Sequence, residues 1–219
     1  MVKIMKTILI GTTNPSKVER FQQILDGYNV NFLTLNDLNI KDEPLENGNN
    51  PLENAMIKAK FYSKYFSCVI CSDSGLYFND FDINDSCQPG LHIRTPNGSK
   101  RLNDEEMIEY YSNLVKSLGD KVKAHYLDGI AVFNEGECFG FIEKELAKEL
   151  SPFIMVSKPS ILRNPGWPLD SLSLNDDGSY FVDRRGHDVA VKKNVVKENI
   201  FTGLYYDRLK KFLIESLEL

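Results

Sequence analysis

Residues 7–17 read Thr7-Ile8-Leu9-Ile10-Gly11-Thr12-Thr13-Asn14-Pro15-Ser16-Lys17. A short β-branched and leucine run stops at a glycine, and turn formers follow, so the stretch predicts a strand breaking into a loop. Asn14 or Ser16 can cap a helix from Lys17 to about Leu25. Backbone N–H groups at such a helix start attract phosphate, and a lysine there adds a full charge. A capped turn followed by an exposed lysine is commonplace, so this segment acquires meaning from the rest of the chain.

Working outward, Val30–Leu35 alternates as a second strand, and the polar stretch Asn36–Asn50 reads as a loop. A helix is expected from Pro51 to about Tyr65, with Leu52, Ala55, Met56, Ala59 and Tyr62 repeating at three and four. Cys68–Cys71 predicts a buried strand running into Ser72-Asp73-Ser74-Gly75-Leu76, and 79–103 is irregular. Asn103 or Asp104 starts an amphipathic helix that ends near Gly119. His125–Phe133 and Cys138–Ile142 read as a strand pair turned at Asn134-Glu135-Gly136, Ser151–Asp177 as a proline- and glycine-rich stretch, and about Thr202–Leu217 as a last helix. Strands alternating with helices favour an α/β class.

Composition narrows the function classes. The chain has 219 residues, 42% hydrophobic and 26% charged, an ordinary globular balance with room for a sizeable core. Net charge is −5, which argues against a general nucleic-acid binder, since that needs a basic face. No run approaches the ~20 apolar residues of a membrane helix. The apolar run after the N-terminal Met-Val-Lys-Ile-Met-Lys is too short for a signal peptide, so a cytoplasmic location is expected. Cys68 and Cys71 lie three apart on an expected strand and point to opposite faces, so they read as buried structural cysteines rather than a metal pair.

Four features sit where scaffolds place function. Thr12–Lys17 is the first. The second is Glu46-x-Gly48 with Glu53-Asn54-Ala55 seven residues on, a spacing able to bring Glu46 and Glu53 near one cation, although Glu53 also suits a helix first turn. Asp73, at the end of a strand among small residues, suits a metal ligand or a general base as well as an Asx-turn. The fourth is the pair of loops Pro89–Arg94 and Gly166-Trp167-Pro168-Leu169-Asp170, whose lone tryptophan offers a stacking face.

In this order and spacing, Thr12–Lys17, Glu46–Ala59 with its Glu-Asn-Ala-x-x-Lys-Ala, Ser72–Leu76 and Pro89–Arg94 resemble the inosine-triphosphate pyrophosphatase family. The likeness is close over the first ~95 residues and looser beyond, where Ala124–Phe133 and Gly166-Trp167 are the matching parts. It implies a mixed, long central sheet flanked by helices in two lobes with a cleft, as one domain over 1–219. It implies Mg²⁺-dependent hydrolysis of deaminated purine nucleoside triphosphates such as ITP, dITP and XTP to monophosphate and pyrophosphate, by a homodimer acting on a small molecule and on neither nucleic acid nor membrane. By the same resemblance Thr12, Asn14, Lys17 and Ser74 would bind the triphosphate, with Lys17 also catalytic. Glu46 and Asp73 would hold Mg²⁺, and Asp73 would orient or deprotonate water. Arg94 would meet phosphate or base-proximal atoms, Trp167 would stack on the purine, and Asp170 would lie near the base edge.

The chain departs from the family pattern at Ser72, where a first acidic residue is usual, and in the order Gly-Trp-Pro-Leu-Asp. It departs again near the C-terminus, where the family's Ser-His-Arg segment has no in-register match and Arg185 and His187, in the nearest basic cluster, are the candidate substrate-binding residues. A nucleotide-binding regulatory protein with a decayed metal site is the alternative reading. The joint presence of Lys17, Glu46 and Asp73 argues against it.

Overall fold

The computed structural model describes residues 5–150, 152–184 and 200–219. Strand β1 (Lys6–Ile10) leads into helix α1 (Pro15–Ile24). Asn14 has extended backbone angles and accepts from the Ser16 amide at 2.9 Å, capping a helix whose first turn carries Pro15. Strand β2 (Val30–Thr34) pairs parallel to β1, as does β3 (Cys68–Phe78), with α2 (Pro51–Tyr62) between β2 and β3 in the chain. After α3 (Asp104–Ser117), β4 (Lys121–Asn134) and β5 (Glu137–Ile142) form the expected antiparallel pair around Glu135 and Gly136, both at positive φ. Helix α4 (Lys144–Leu150), β6 (Phe153–Val156), β7 (Ser173–Leu174), α5 (Phe181–Arg184) and α6 (Ile200–Leu217) complete the described elements.

Among the described residues the strands form one mixed sheet in the order β2-β1-β3-β4-β6-β7, with β5 on β4. Two expectations need correction. The strand expected to end at Cys71 continues to Phe78, so Asp73 lies within β3 rather than at its end. The polar Ser72–Gly75 stretch stays in the ladder because Leu76, Tyr77 and Phe78 beyond it are buried and draw the strand on. The stretch 151–177 contains β6 and β7, since Phe153 and Met155 are buried and Ile154 pairs with Leu174.

Contacts divide the chain into two compact units, one of residues 1–74, 127–146 and 200–219, the other of 75–126 and 147–199. The first unit's core includes Leu9, Ala55, Tyr62, Val69 and Ala131. The core of the second includes Leu76, Tyr111, Val122, Phe153 and Leu172. Burying a large apolar side chain is worth about 1.5–3 kcal/mol, so each set is a substantial core. No described helix is long and apolar enough to cross a membrane.

Candidate active site

The charged cluster of the first unit is built around the start of α2. Asn50 caps this helix, accepting from the Glu53 amide at 3.0 Å. Glu53 returns its carboxylate to Asn50 Nδ2 (2.7 Å) and the Asn49 amide (2.8 Å), a reciprocal cap. Glu53 is therefore spent on the helix start, and the Glu46–Glu53 pairing that the spacing left open does not form. Next in the chain, Asn54 is buried. Its Oδ1 accepts from the Gly48 amide at 2.8 Å, and its Nδ2 donates to Asp73 Oδ2 at 2.9 Å. A Cβ on Gly48 would lie 2.6 Å from Glu53 Cβ and 2.8 Å from Asn54 Oδ1, so only glycine lets the loop approach this closely.

One helical turn after Asn54, Lys58 places its ammonium 2.7 Å from Glu46 Oε2 and 3.2 Å from Asp73 Oδ1. Two carboxylates from distant parts of the sequence thus meet at one cation. Burial pushes the Lys58 pKa down, but Asp73 and Glu46 outweigh it and the net shift is upward. Lys17, on α1, approaches the carbonyl of Ser72 at 3.4 Å, and Lys58 approaches the same oxygen at 3.5 Å. For Lys17, burial and the like charge of Lys58 lower the pKa, with Asp73 and Asp128 opposing.

Thr12 and Asn14 shape the turn before α1. Thr12 Oγ1 accepts from the Asn14 amide at 3.2 Å, and Asn14 Oδ1 is the helix cap. Ser74, next along β3, donates its hydroxyl to Asp128 Oδ1 at 2.6 Å, and Arg20 Nη1 lies 2.6 Å from Asp128 Oδ2. Ser72 is buried.

The donor set bears on a metal. Among the described residues no group of three or more His, Cys, Asp or Glu side chains gathers. Glu46 and Asp73 nevertheless converge on one ammonium, which marks a point where both carboxylates face a single cation. Mg²⁺ is commonly held by one or two carboxylates, with waters and substrate phosphates completing its oxygens. The pair therefore fits a metal that arrives with a polyphosphate, and it does not fit an all-protein cage.

In the second unit, Gly166 and Trp167 sit on a tied loop. Arg94 pairs with Asp104 at 2.9 Å and donates to the Gly166 carbonyl at 3.1 Å, while the Gly166 amide donates to Asp104 at 2.7 Å. Arg94 thus holds the loop that carries Trp167. The tryptophan is 41% exposed, the largest side chain left partly open there. Asp170 is buried and accepts from Asn164 Nδ2 at 2.8 Å.

The structure brings Lys17, Glu46 and Asp73 together, and links Ser74 to them through the strand. In the other unit Trp167 and Asp170 share a loop that Arg94, from a separate segment, ties down. Arg185 and His187 lie outside the described residues. Sequence reasoning assigned no role to Asn54, Lys58, Arg20 or Asp128. The i,i+4 spacing of Asn54 and Lys58 was the available signal for one helix face, and a lone acid in the apolar run Leu127–Val132 was the signal for Asp128.

Comparison with known proteins follows the same lines. Residues 8–149 match the Ham1 family. The dITP/XTP pyrophosphatase of Borrelia garinii is 26% identical over 97% of this chain and 98% of its own length. That of Thermoanaerobacter pseudethanolicus is 32% identical over 57% of this chain, a match spanning 62% of that relative. The Coxiella burnetii HAM1 protein superposes with a TM-score of 0.64 at 18% identity, covering 96% of this chain and all of that one, so the fold is shared. With a match over more than half its length and the same mixed sheet, the chain belongs to the Ham1 family, as its resemblance to the inosine-triphosphate pyrophosphatases implied.

Proposed function

We propose that this protein is a nucleoside-triphosphate pyrophosphatase, a single domain over 1–219 that cuts deaminated purine triphosphates such as ITP, dITP and XTP between the α and β phosphates with Mg²⁺. The observation that carries the reading is the convergence of Glu46 and Asp73 on one ammonium beside Lys17. The names of the Borrelia and Thermoanaerobacter relatives point the same way.

In this reading Glu46 and Asp73 hold the metal, which when bound neutralises charge on the phosphate oxygens. Lys17 and Lys58 supply fixed positive charge for the polyanion. Asp73 receives one donor on each oxygen, from Lys58 and Asn54, and a carboxylate oxygen has two lone pairs. It therefore keeps acceptor capacity with which to align a water and take its proton. The water oxygen bonds to the α phosphorus, the bond to the α–β bridging oxygen breaks, and pyrophosphate leaves with that electron pair. Trp167 is the proposed stacking face, and Asp170, Arg185 and His187 the proposed readers of the base. A cytoplasmic homodimer is part of the same proposal and rests on the family resemblance.

The test is product analysis over a panel of nucleoside triphosphates. Monophosphate plus pyrophosphate is expected, and EDTA is expected to stop the reaction. Orthophosphate as the product would place the cut at the β–γ bond and overturn the reading.

A further inference from the structure

Arg20 on α1, Asp128 on β4 and Ser74 on β3 form a polar chain of their own in the first unit. Asp128 divides its two oxygens, one to Arg20 at 2.6 Å and the other to the Ser74 hydroxyl at 2.6 Å. Arg20 is anchored in turn: Nη2 donates to the Tyr205 hydroxyl at 3.1 Å, and the guanidinium lies 5.8 Å from the ring centroids of Tyr205 and Tyr206. Both charged side chains are largely covered, at 23% and 21% exposure. A covered ion pair is not needed for stability, since apolar residues of similar volume commonly serve as well. What the pair adds is the hydrogen bond to Ser74.

Ser74 has one hydroxyl hydrogen, and a carboxylate paired with a guanidinium offers only acceptors. The hydrogen is therefore committed to Asp128, and the Ser74 oxygen is left to accept. Ser74 lies two residues along β3 from Ser72, whose backbone carbonyl Lys17 approaches at 3.4 Å. Lys17 also precedes Arg20 by three residues on α1, so the two lie on one helix face.

Resting on the pyrophosphatase reading, we propose that Asp128 is a positioning residue for the reaction: it ties down α1 through Arg20 and sets the Ser74 oxygen as an acceptor for the Lys17 ammonium, aiming that charge at the phosphates. Asp128→Asn tests the polarity directly. Arginine has no acceptor, so the amide must turn its oxygen to Arg20 and its NH₂ to Ser74, which occupies the Ser74 oxygen and releases its hydroxyl hydrogen.

The experiment measures kcat/KM for pyrophosphate release from ITP, with melting temperatures, in the full chain and in Asp128→Asn, Ser74→Ala and the double variant. Each single change is expected to lower kcat/KM about tenfold, the scale of one directed hydrogen bond. The double variant should be no worse than the lower single one, because both act through one hydroxyl. Losses in kcat/KM that multiply, or an Asp128→Asn enzyme with wild-type kcat/KM, overturn the proposal. If Asp128→Asn fails to fold, Ser74→Ala decides, since it leaves the Arg20–Asp128 pair intact: wild-type kcat/KM overturns, and loss rescued by Ser74→Thr supports. A wild-type protein that releases no pyrophosphate from any triphosphate overturns the pyrophosphatase reading and this one with it. Normal release with an indifferent Asp128→Asn overturns only this one.

Discussion

Asp73 accepts one hydrogen bond on each carboxylate oxygen, from Lys58 and from Asn54, so its orientation is held from two sides. Asp73→Asn keeps the volume and removes the charge. Turnover should fall by at least ~10²-fold, the low end for a general base. The fold should survive with a modest drop in melting temperature, because the new NH₂ must face Lys58 or Asn54, while Lys58 keeps Glu46 as a partner at 2.7 Å. A variant with near-normal turnover would move the base role to Glu46. At this scale Lys17, Glu46 and Asp73 were candidates because each stands out locally, beside a turn or among small residues, and because the family resemblance falls on them. Lys58 and Asn54 stood in the Glu-Asn-Ala-x-x-Lys-Ala motif without a role of their own until β3 supplies Asp73 as their partner. Asp128 was hidden for the same reason: its meaning comes from Arg20, more than a hundred residues earlier.

Elements carry the site as rigid pieces, and their contacts are unforgiving. A Cβ on Gly129 would lie 2.2 Å from the Leu52 amide nitrogen and 2.3 Å from the Pro51 carbonyl carbon, both backbone atoms at the start of α2. Gly129→Ala must push that helix away, and overpacking of this kind costs typically ~1–3 kcal/mol. Since α2 also carries Asn54 and Lys58, pyrophosphatase activity should fall further than the loss of folded protein explains, as parallel melting and rate measurements would show. The loop around Trp167 is held in a similar way, by Arg94 and Asp104 on either side of the Gly166 peptide. Stacking on an aromatic ring is worth ~1–3 kcal/mol per base and hardly distinguishes bases. Trp167→Ala is thus expected to raise KM for inosine and adenosine triphosphates together and leave their ratio unchanged. A changed ratio with an unchanged KM would make the tryptophan structural. Most element types were legible from periodicity. The length of β3 was not, because Ser-Asp-Ser-Gly reads as a loop until its neighbours in the sheet are known.

Across the whole molecule the alternation of strands and helices announced the α/β class, while strand order and the division into two units depend on pairings that no local pattern encodes. The stability of the whole also responds to one buried titratable group. His125 is 5% exposed and bonded to Asn79 Oδ1 at 2.7 Å, and burial, with help from Lys148, lowers its pKa to about 4. An unfolded chain holds its histidine near the ordinary value of ~6.5, so between these values the unfolded state binds the extra proton. Stability is then fully present above about pH 6.5 and falls as the pH drops toward 4, by at most ~1.4 kcal/mol per pH unit from this residue. Denaturant melts across that window should show the slope, and His125→Gln should flatten it. The first unit joins β1 to α6, where Leu209, Leu213 and Leu217 are fully buried and the Leu217 carbonyl accepts from Lys6. During synthesis at ~5–20 residues per second, β1 emerges roughly ten to forty seconds before the helix that completes its unit exists. For that interval β1 can pair with β2 and β3, but Leu209, Leu213 and Leu217 are not yet there to complete the packing of the first unit.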